Sequence, residues 1–236
     1  MILTKKEIKR FAIVALSVVV SITIFFMVCG FSETDNSYKG SLPIIVIDAG
    51  HGGEDGGAVA DDGTNEKDIN LDIALQLNEF FKSSGFKTIM TRDTDKAIYD
   101  DGCEDIKSKK VSDMHNRLAI FNKEENSIVI SVHQNKFEQK KYSGTQVFYS
   151  PNNSNSEILA DKIRLSVKGM LQPENEREIK KSDKNIYLLY NCKQPSVIVE
   201  CGFISNDEEL SKLKTEEYQK QIAFSIYCGC LEYINE

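Results

Sequence analysis

Paired cysteines, internal repeats and a basic surplus are what this 236-residue sequence lacks. Of its six cysteines, none stand in the paired C-x-x-C spacing of a zinc framework. Cys29 falls in an apolar run. That leaves Cys103, Cys192, Cys201, Cys228 and Cys230, an odd set that predicts mostly buried free thiols packing as small hydrophobes. Exposed domains in oxidising surroundings pair their cysteines, so an unpaired set points to a reducing or anaerobic setting. The formal net charge of −7 argues against nucleic acid as a partner and suits an uncharged or mildly charged substrate. No low-complexity tract and no second globular segment stands out as a separate binding module. Arginine is scarce, 5 against 24 lysines, a bias typical of an AT-rich genome. Histidine is scarcer still. The chain has three, so each is weighed separately.

The longest apolar run is at the start. Lys5, Lys6, Lys9 and Arg10 precede an uncharged, mostly apolar stretch of 19 residues from Phe11 to Cys29. That length spans a bilayer as a helix, and the basic flank predicts that residues 1–10 stay in the cytoplasm. Everything after Gly30 then lies outside it. A cleaved signal segment, leaving a secreted chain, is the competing reading, but the stretch FFMVCG offers no clear A-x-A site. Residues 30–42 are polar and small and read as a linker. The remaining stretch, 43–236, fits one domain with a sizeable core.

Periodicity sets the expected elements of that domain. Strands are predicted at 43–49, 86–91, 127–132, 144–149, 186–190 and 196–199. Helices are predicted at 66–83, 113–123, 156–171, 207–213 and 215–234. In the first helix Ile69, Ile73, Leu77 and Phe80 recur at helical spacing, with Thr64 or Asn65 as its cap. Residues 93–110 read as a long charged surface loop, and 172–184 as a polar break. Strands alternating with helices imply an α/β fold, a three-layer sandwich with a largely parallel sheet of about six strands and helices on both faces. Ligands in such sheets bind at the carboxyl ends of the strands.

Three chemistry-bearing residues fall at such ends, and a fourth opens a helix. His51 follows the strand IVIDA in a glycine-rich loop, where an imidazole is sterically open to a metal. His133 ends the strand IVISV. Glu66 opens a helix, a place that the helix dipole alone would explain. Glu200 follows Val197, Ile198 and Val199 directly, so it is expected to be buried and to need a partner. Two imidazoles and a carboxylate make a ligand set for a catalytic zinc with an open position, and a further carboxylate can shuttle protons. His115 lies on a polar helix face and reads as solvated. A cysteine hydrolase built on Cys201 is the rival chemistry. Neighbouring residues of a strand point to opposite faces, however, and that separates Cys201 from Glu200.

Taken together, IDAGHGGEDGGA, NEKDINL, SVHQN and SVIVECGFISN resemble, in order, the motifs of the type-3 zinc-dependent N-acetylmuramoyl-L-alanine amidases. GTQVFY and IYLLYN fit the same pattern, and the resemblance runs from Pro43 to the C-terminus. By motif match it implies one zinc ion (Zn2+) held by His51, Glu66 and His133, and Glu200 as the catalytic glutamate. It implies cleavage of the amide between the lactyl group of muramic acid and the first L-alanine of the stem peptide. Asp48 and Asn135 are candidates for orienting the ligands from behind, with packing roles the alternative. Gln134 departs from the small residue that family members often carry there.

Within the family the chain is most similar to the germination-specific, cortex-modifying amidases of spore formers. Only 10 residues separate His133 from Gly144, which leaves no room for the inhibitory helix that division amidases can insert there. The resemblance implies peptidoglycan glycan strands with stem peptides as substrate, and leaves room for an activating protein partner. With the membrane as a further partner through residues 11–29, the expected place is the cell envelope or the forespore intermembrane space. A general wall or division amidase, or a non-catalytic anchored scaffold that binds peptidoglycan, are the alternatives.

Overall fold

A computed structural model describes residues 41–236. The predicted membrane segment at 11–29, its basic flank and most of the linker lie outside those residues. Among the described residues, no helix is long and apolar enough to cross a membrane.

The chain runs β1 (Ile44–Ala49), α1 (Glu66–Ser83), β2 (Thr88–Met90), α2 (Ile106–Phe121), β3 (Ser127–Asn135) and β4 (Gln146–Tyr149). It continues through α3 (Asn155–Met170), β5 (Lys180–Lys181), α4 (Tyr187–Asn191), β6 (Ser196–Phe203), α5 (Asp207–Leu213) and α6 (Glu216–Ile234). Six strands form one sheet in the order β2-β1-β3-β6-β4-β5. β2, β1, β3 and β6 are mutually parallel. β4 runs antiparallel to β6, and β5 follows β4 in parallel. The expected α/β class and largely parallel sheet are therefore present, with the sheet's direction reversing at one edge.

Alternation along the three central strands sorts their side chains. Ile45, Ile47 and Ala49, Ile128, Ile130 and Val132, and Val197, Val199 and Cys201 belong to one buried cluster. Four helices seal it: α1 through Ile69, Ile73, Leu77 and Phe81, α3 through Leu159 and Ile163, α5 through Leu210 and Leu213, and α6 through Ile222 and Ile226. The intervening residues, Val46 and Val129, face a smaller cluster with Phe121 of α2, Cys192 and the partly buried Leu118 and Leu188. Asp48, Ser131, His133, Ile198 and Glu200 continue that second face toward the strand ends. Helices thus cover both faces, a thick layer on one and a thin layer of α2 and α4 on the other.

Three expectations are corrected. The stretch 186–190 is not a strand but the start of α4, and the sixth strand is β5, two exposed lysines at the sheet edge. A five-residue apolar run carries no period that separates strand from helix. Here Asp183 turns the chain, accepting from Asn185 N at 2.8 Å through Oδ1 and from Ile186 N at 3.1 Å through its carbonyl. The supposed loop at 93–110 ends at Asp105, whose carboxylate caps α2 by accepting from Ser108 N at 3.0 Å. Asn65 stands at the N-cap of α1 but makes no side-chain cap bond. The five described cysteines are free, with Cys192, Cys201 and Cys230 buried.

Phe81 is fully buried and packs edge-on against Phe86 and Tyr227, at centroid distances of 5.5 and 5.1 Å. Phe81→Ala removes a ring from the closed side of the sheet and leaves a cavity. Chemical denaturation should show a loss of about 3–5 kcal/mol. A loss under about 1 kcal/mol would show that the helical layer collapses to fill the space.

Candidate active site

The turn after β1 is built to expose a ring. His51 is the one described non-glycine residue with positive φ, 63°. Its Nδ1 lies 2.9 Å from Asp55 Oδ2, which leaves Nε2 facing Glu66 Oε2 at 3.4 Å. Gly50 lets the next ligand approach, since a Cβ there would sit 2.3 Å from the His133 ring. Gly57, at φ +68°, does the same for Glu66, with a Cβ 2.6 Å from Oε2.

Glu66 is buried at the first turn of α1 and accepts on both oxygens. Ala58 N donates to Oε2 at 2.8 Å. Gln134 N and Asn70 Nδ2 donate to Oε1 at 3.1 and 3.2 Å. His133 Nδ1 lies 2.9 Å from the same oxygen. The donor atoms of His51, Glu66 and His133 all fall within 4.8 Å of one another. Burial alone would lower His51, but the Asp55 and Glu66 carboxylates outweigh it and push the imidazole up to about 9. Burial alone would raise Glu66, but hydrogen bonds from His133 and His51 hold it well below the usual carboxylate range.

Glu200 completes the group. It is the register partner of His133 across β3 and β6, and of Gln146 on β4. Its Oε2 is buried and has no hydrogen-bond partner among the described residues. Burial pushes its carboxyl up to about 7, against the pull of the nearby His133 charge. A carboxyl poised near neutrality can both take and return a proton. A cleft of about 410 Å³ opens beside it, between α2 and α4, with Met114, Leu188 and Ile198 among its lining and Tyr99 and Tyr187 alongside.

The remaining expected residues divide. Asp48 touches neither imidazole. It is fully buried and accepts from Arg117, Ser131 and Thr91 Oγ1, the last at 2.7 Å. Burial would raise it, but the Arg117 charge holds it below the usual range. Asn135 serves through its backbone, its carbonyl accepting from Ile204 N at 2.9 Å, and its side chain bonds none of the three donors. The neighbours that do hold the donors are Asp55, Asn70 and the Gln134 amide. Asn70 stands four residues after Glu66 on one helix face, a spacing visible in the sequence. His115 is exposed beside Tyr187, away from the cluster. Cys201 is buried on the opposite side of the sheet, where burial pushes its thiol far above the usual range, so the thiol chemistry has no site.

The donor set itself argues for a metal ion. Two imidazole nitrogens and a carboxylate converge, the far nitrogen of His51 is anchored by a carboxylate, and a second carboxylate beside them has an orphaned oxygen. Comparison with known proteins gives the family. The N-acetylmuramoyl-L-alanine amidase family model matches residues 45–232. The germination-specific N-acetylmuramoyl-L-alanine amidase of Bacillus subtilis is 35% identical over 91% of this chain and 91% of its own. Among solved structures, the CwlD amidase of Clostridioides difficile, determined in complex with the GerS lipoprotein, is 41% identical with a TM-score of 0.78 and covers 81% of this chain and 98% of its own. The AmiC2 amidase of Nostoc punctiforme is 27% identical with a TM-score of 0.70 and covers 84% of this chain and 99% of its own. With one continuous match over nearly the whole described domain, and the cluster at its strand ends, this chain belongs to the N-acetylmuramoyl-L-alanine amidase family.

Proposed function

We propose that this enzyme hydrolyses the amide joining the lactyl group of N-acetylmuramic acid to the L-alanine of the peptidoglycan stem, using zinc. The observation that carries the reading is Glu200, a buried carboxylate with an unpartnered oxygen beside a two-imidazole, one-carboxylate cluster. His51 Nε2, Glu66 and His133 Nδ1 would hold the ion. When bound, zinc supplies Lewis acidity toward water and the scissile carbonyl.

The chain's own groups do the rest. Asp55 fixes the His51 tautomer by accepting at Nδ1, and three donors, Ala58 N, Asn70 Nδ2 and Gln134 N, keep Glu66 in one orientation. Glu200 takes a proton from the attacking water and delivers it to the departing alanine nitrogen. Amide cleavage needs that delivery because an amide anion leaves badly. A general acid–base in this role contributes about 10²–10⁴ in rate.

The cortex of a spore is the proposed site of action. The support is the similarity to a germination-specific amidase and to a CwlD amidase solved with a lipoprotein. The second relative makes a protein partner part of the proposal. Residues 11–29 serve as the anchor, with the catalytic domain outside the cytoplasm. That tether keeps enzyme near substrate by raising its effective concentration.

Three outcomes follow. Glu200→Gln should keep zinc and the fold while turnover on purified muropeptides, followed by mass analysis, falls about 10²–10⁴-fold. His51→Ala should lose zinc by elemental analysis, chelation should abolish activity and added zinc restore it. An active, metal-free chain would sink the ligand assignment. In a spore-forming source, deletion should spare vegetative growth and yield spores poor in muramic δ-lactam, and normal lactam content would exclude the cortex role.

A further inference from the structure

The backbone of His51 is left-handed, a conformation costly for a residue with a Cβ, so the surroundings must hold it there. They do so through carbonyls. Arg117 Nη2 donates to the carbonyl of His51 at 2.7 Å and Nη1 to that of Ala49 at 2.8 Å. From the other side Arg92 Nε donates to the same Ala49 carbonyl at 2.9 Å. Arg92 Nη2 donates to the Gly50 carbonyl at 3.0 Å and to the Lys67 carbonyl at 2.8 Å. Three consecutive carbonyls of the turn are thus gripped by two guanidinium groups, and one of those groups also grips the residue after Glu66.

The cost of this arrangement marks its purpose. Arg92 and Arg117 are 1% and 2% exposed, and a buried charge is expensive. Arg117 is neutralised by Asp48 and Asp113. Arg92 makes no ion pair among the described residues, and its bonds go to the carbonyls of Ala49, Gly50, Thr94 and Lys67. A fold that needed only filler would place an apolar side chain there. Only a planar fork of several donors ties neighbouring carbonyls together, and lysine offers a single point.

We propose that Arg92 and Arg117 are positioning residues that preset the His51 turn and the start of α1, so that His51 and Glu66 meet a metal ion in binding geometry. The inference rests on the metal-site reading above. Arg117 ties the turn to the sheet floor through Asp48 and to α2. Arg92 ties the turn to the helix that carries Glu66.

The test uses the full chain, purified in detergent, as Arg92→Lys and Arg117→Lys variants. Zinc affinity is read by competition with a chromogenic chelator, and backbone hydrogen exchange of residues 49–57 is read in zinc-stripped protein. Folded variants should bind zinc about 10–100-fold more weakly and exchange faster in 49–57, with β3 and β6 unchanged. Wild-type zinc affinity and wild-type exchange in folded variants would overturn the inference. Should Arg117→Lys fail to fold because Asp48 loses its partner, Asp113→Asn keeps an oxygen for Ile98 N, removes the carboxylate that anchors Nε at 2.6 Å, and decides the matter. A smaller shift in the same direction supports the role, and no shift overturns it. A wild-type chain that binds no zinc would overturn the metal site and this inference with it. Equal zinc binding by wild type and variants overturns this inference alone.

Discussion

The register of β3 against β6 sets His133 opposite Glu200, and most of the site's chemistry follows from that pairing. Side chains on a strand alternate with a period of two, so a slip by one residue would exchange the two faces. Cys201 would then enter the cleft, and Glu200 would be driven in beside Ile130 and Val132 of β3. What prevents the slip is the apolar set on the other face, sealed under α1, α3, α5 and α6. The placement of a titratable group is therefore secured by packing several ångströms away from it. Beyond His133 the register breaks before Asn135 pairs with Phe203, an irregularity of the kind that bends strands beside functional sites.

The two faces of the sheet do different work. The thick helical side holds most of the buried apolar surface and so most of the stabilising burial. The thin side is bridged by one long helix and one short one, and the room left between them becomes the cleft. The polar residues around Asp48 survive burial because they satisfy one another. Asp48 accepts from Arg117, Ser131 and Thr91, and the same guanidinium reaches the backbone of the His51 turn.

Much of this was legible in the sequence, for reasons that particular residues make plain. His51, His133 and Glu200 stand out because apolar strands end beside them, and Glu66 because an amphipathic helix begins there. The core strands are readable because continuous Ile and Val runs suit a sheet covered on both sides. α4 and β5 are not readable, because a five-residue helix and a two-residue strand are shorter than the patterns that define them. The start of α2 was hidden behind a solvated face, although Asp105 followed by Ser108 is a cap signal. Arg92 and Arg117 leave little local trace beyond the i,i+4 spacing of Asp113 and Arg117. Their partners lie between 25 and 68 residues away in sequence for every contact to the His51 turn and the start of α1. Only the closed fold brings those carbonyls within reach.

β5 has a further consequence. A sheet that ends on a strand presents a row of unpaired N–H and C=O groups, which another chain can extend. Here the terminal strand is two residues long, and both are exposed lysines. Two residues provide too few ladder bonds to template a neighbour, and the paired positive charges repel a like edge brought alongside. The β5 end of the sheet is thereby closed to strand addition, so a concentrated population of these molecules has no growing β-edge from which aggregates could elongate on that side.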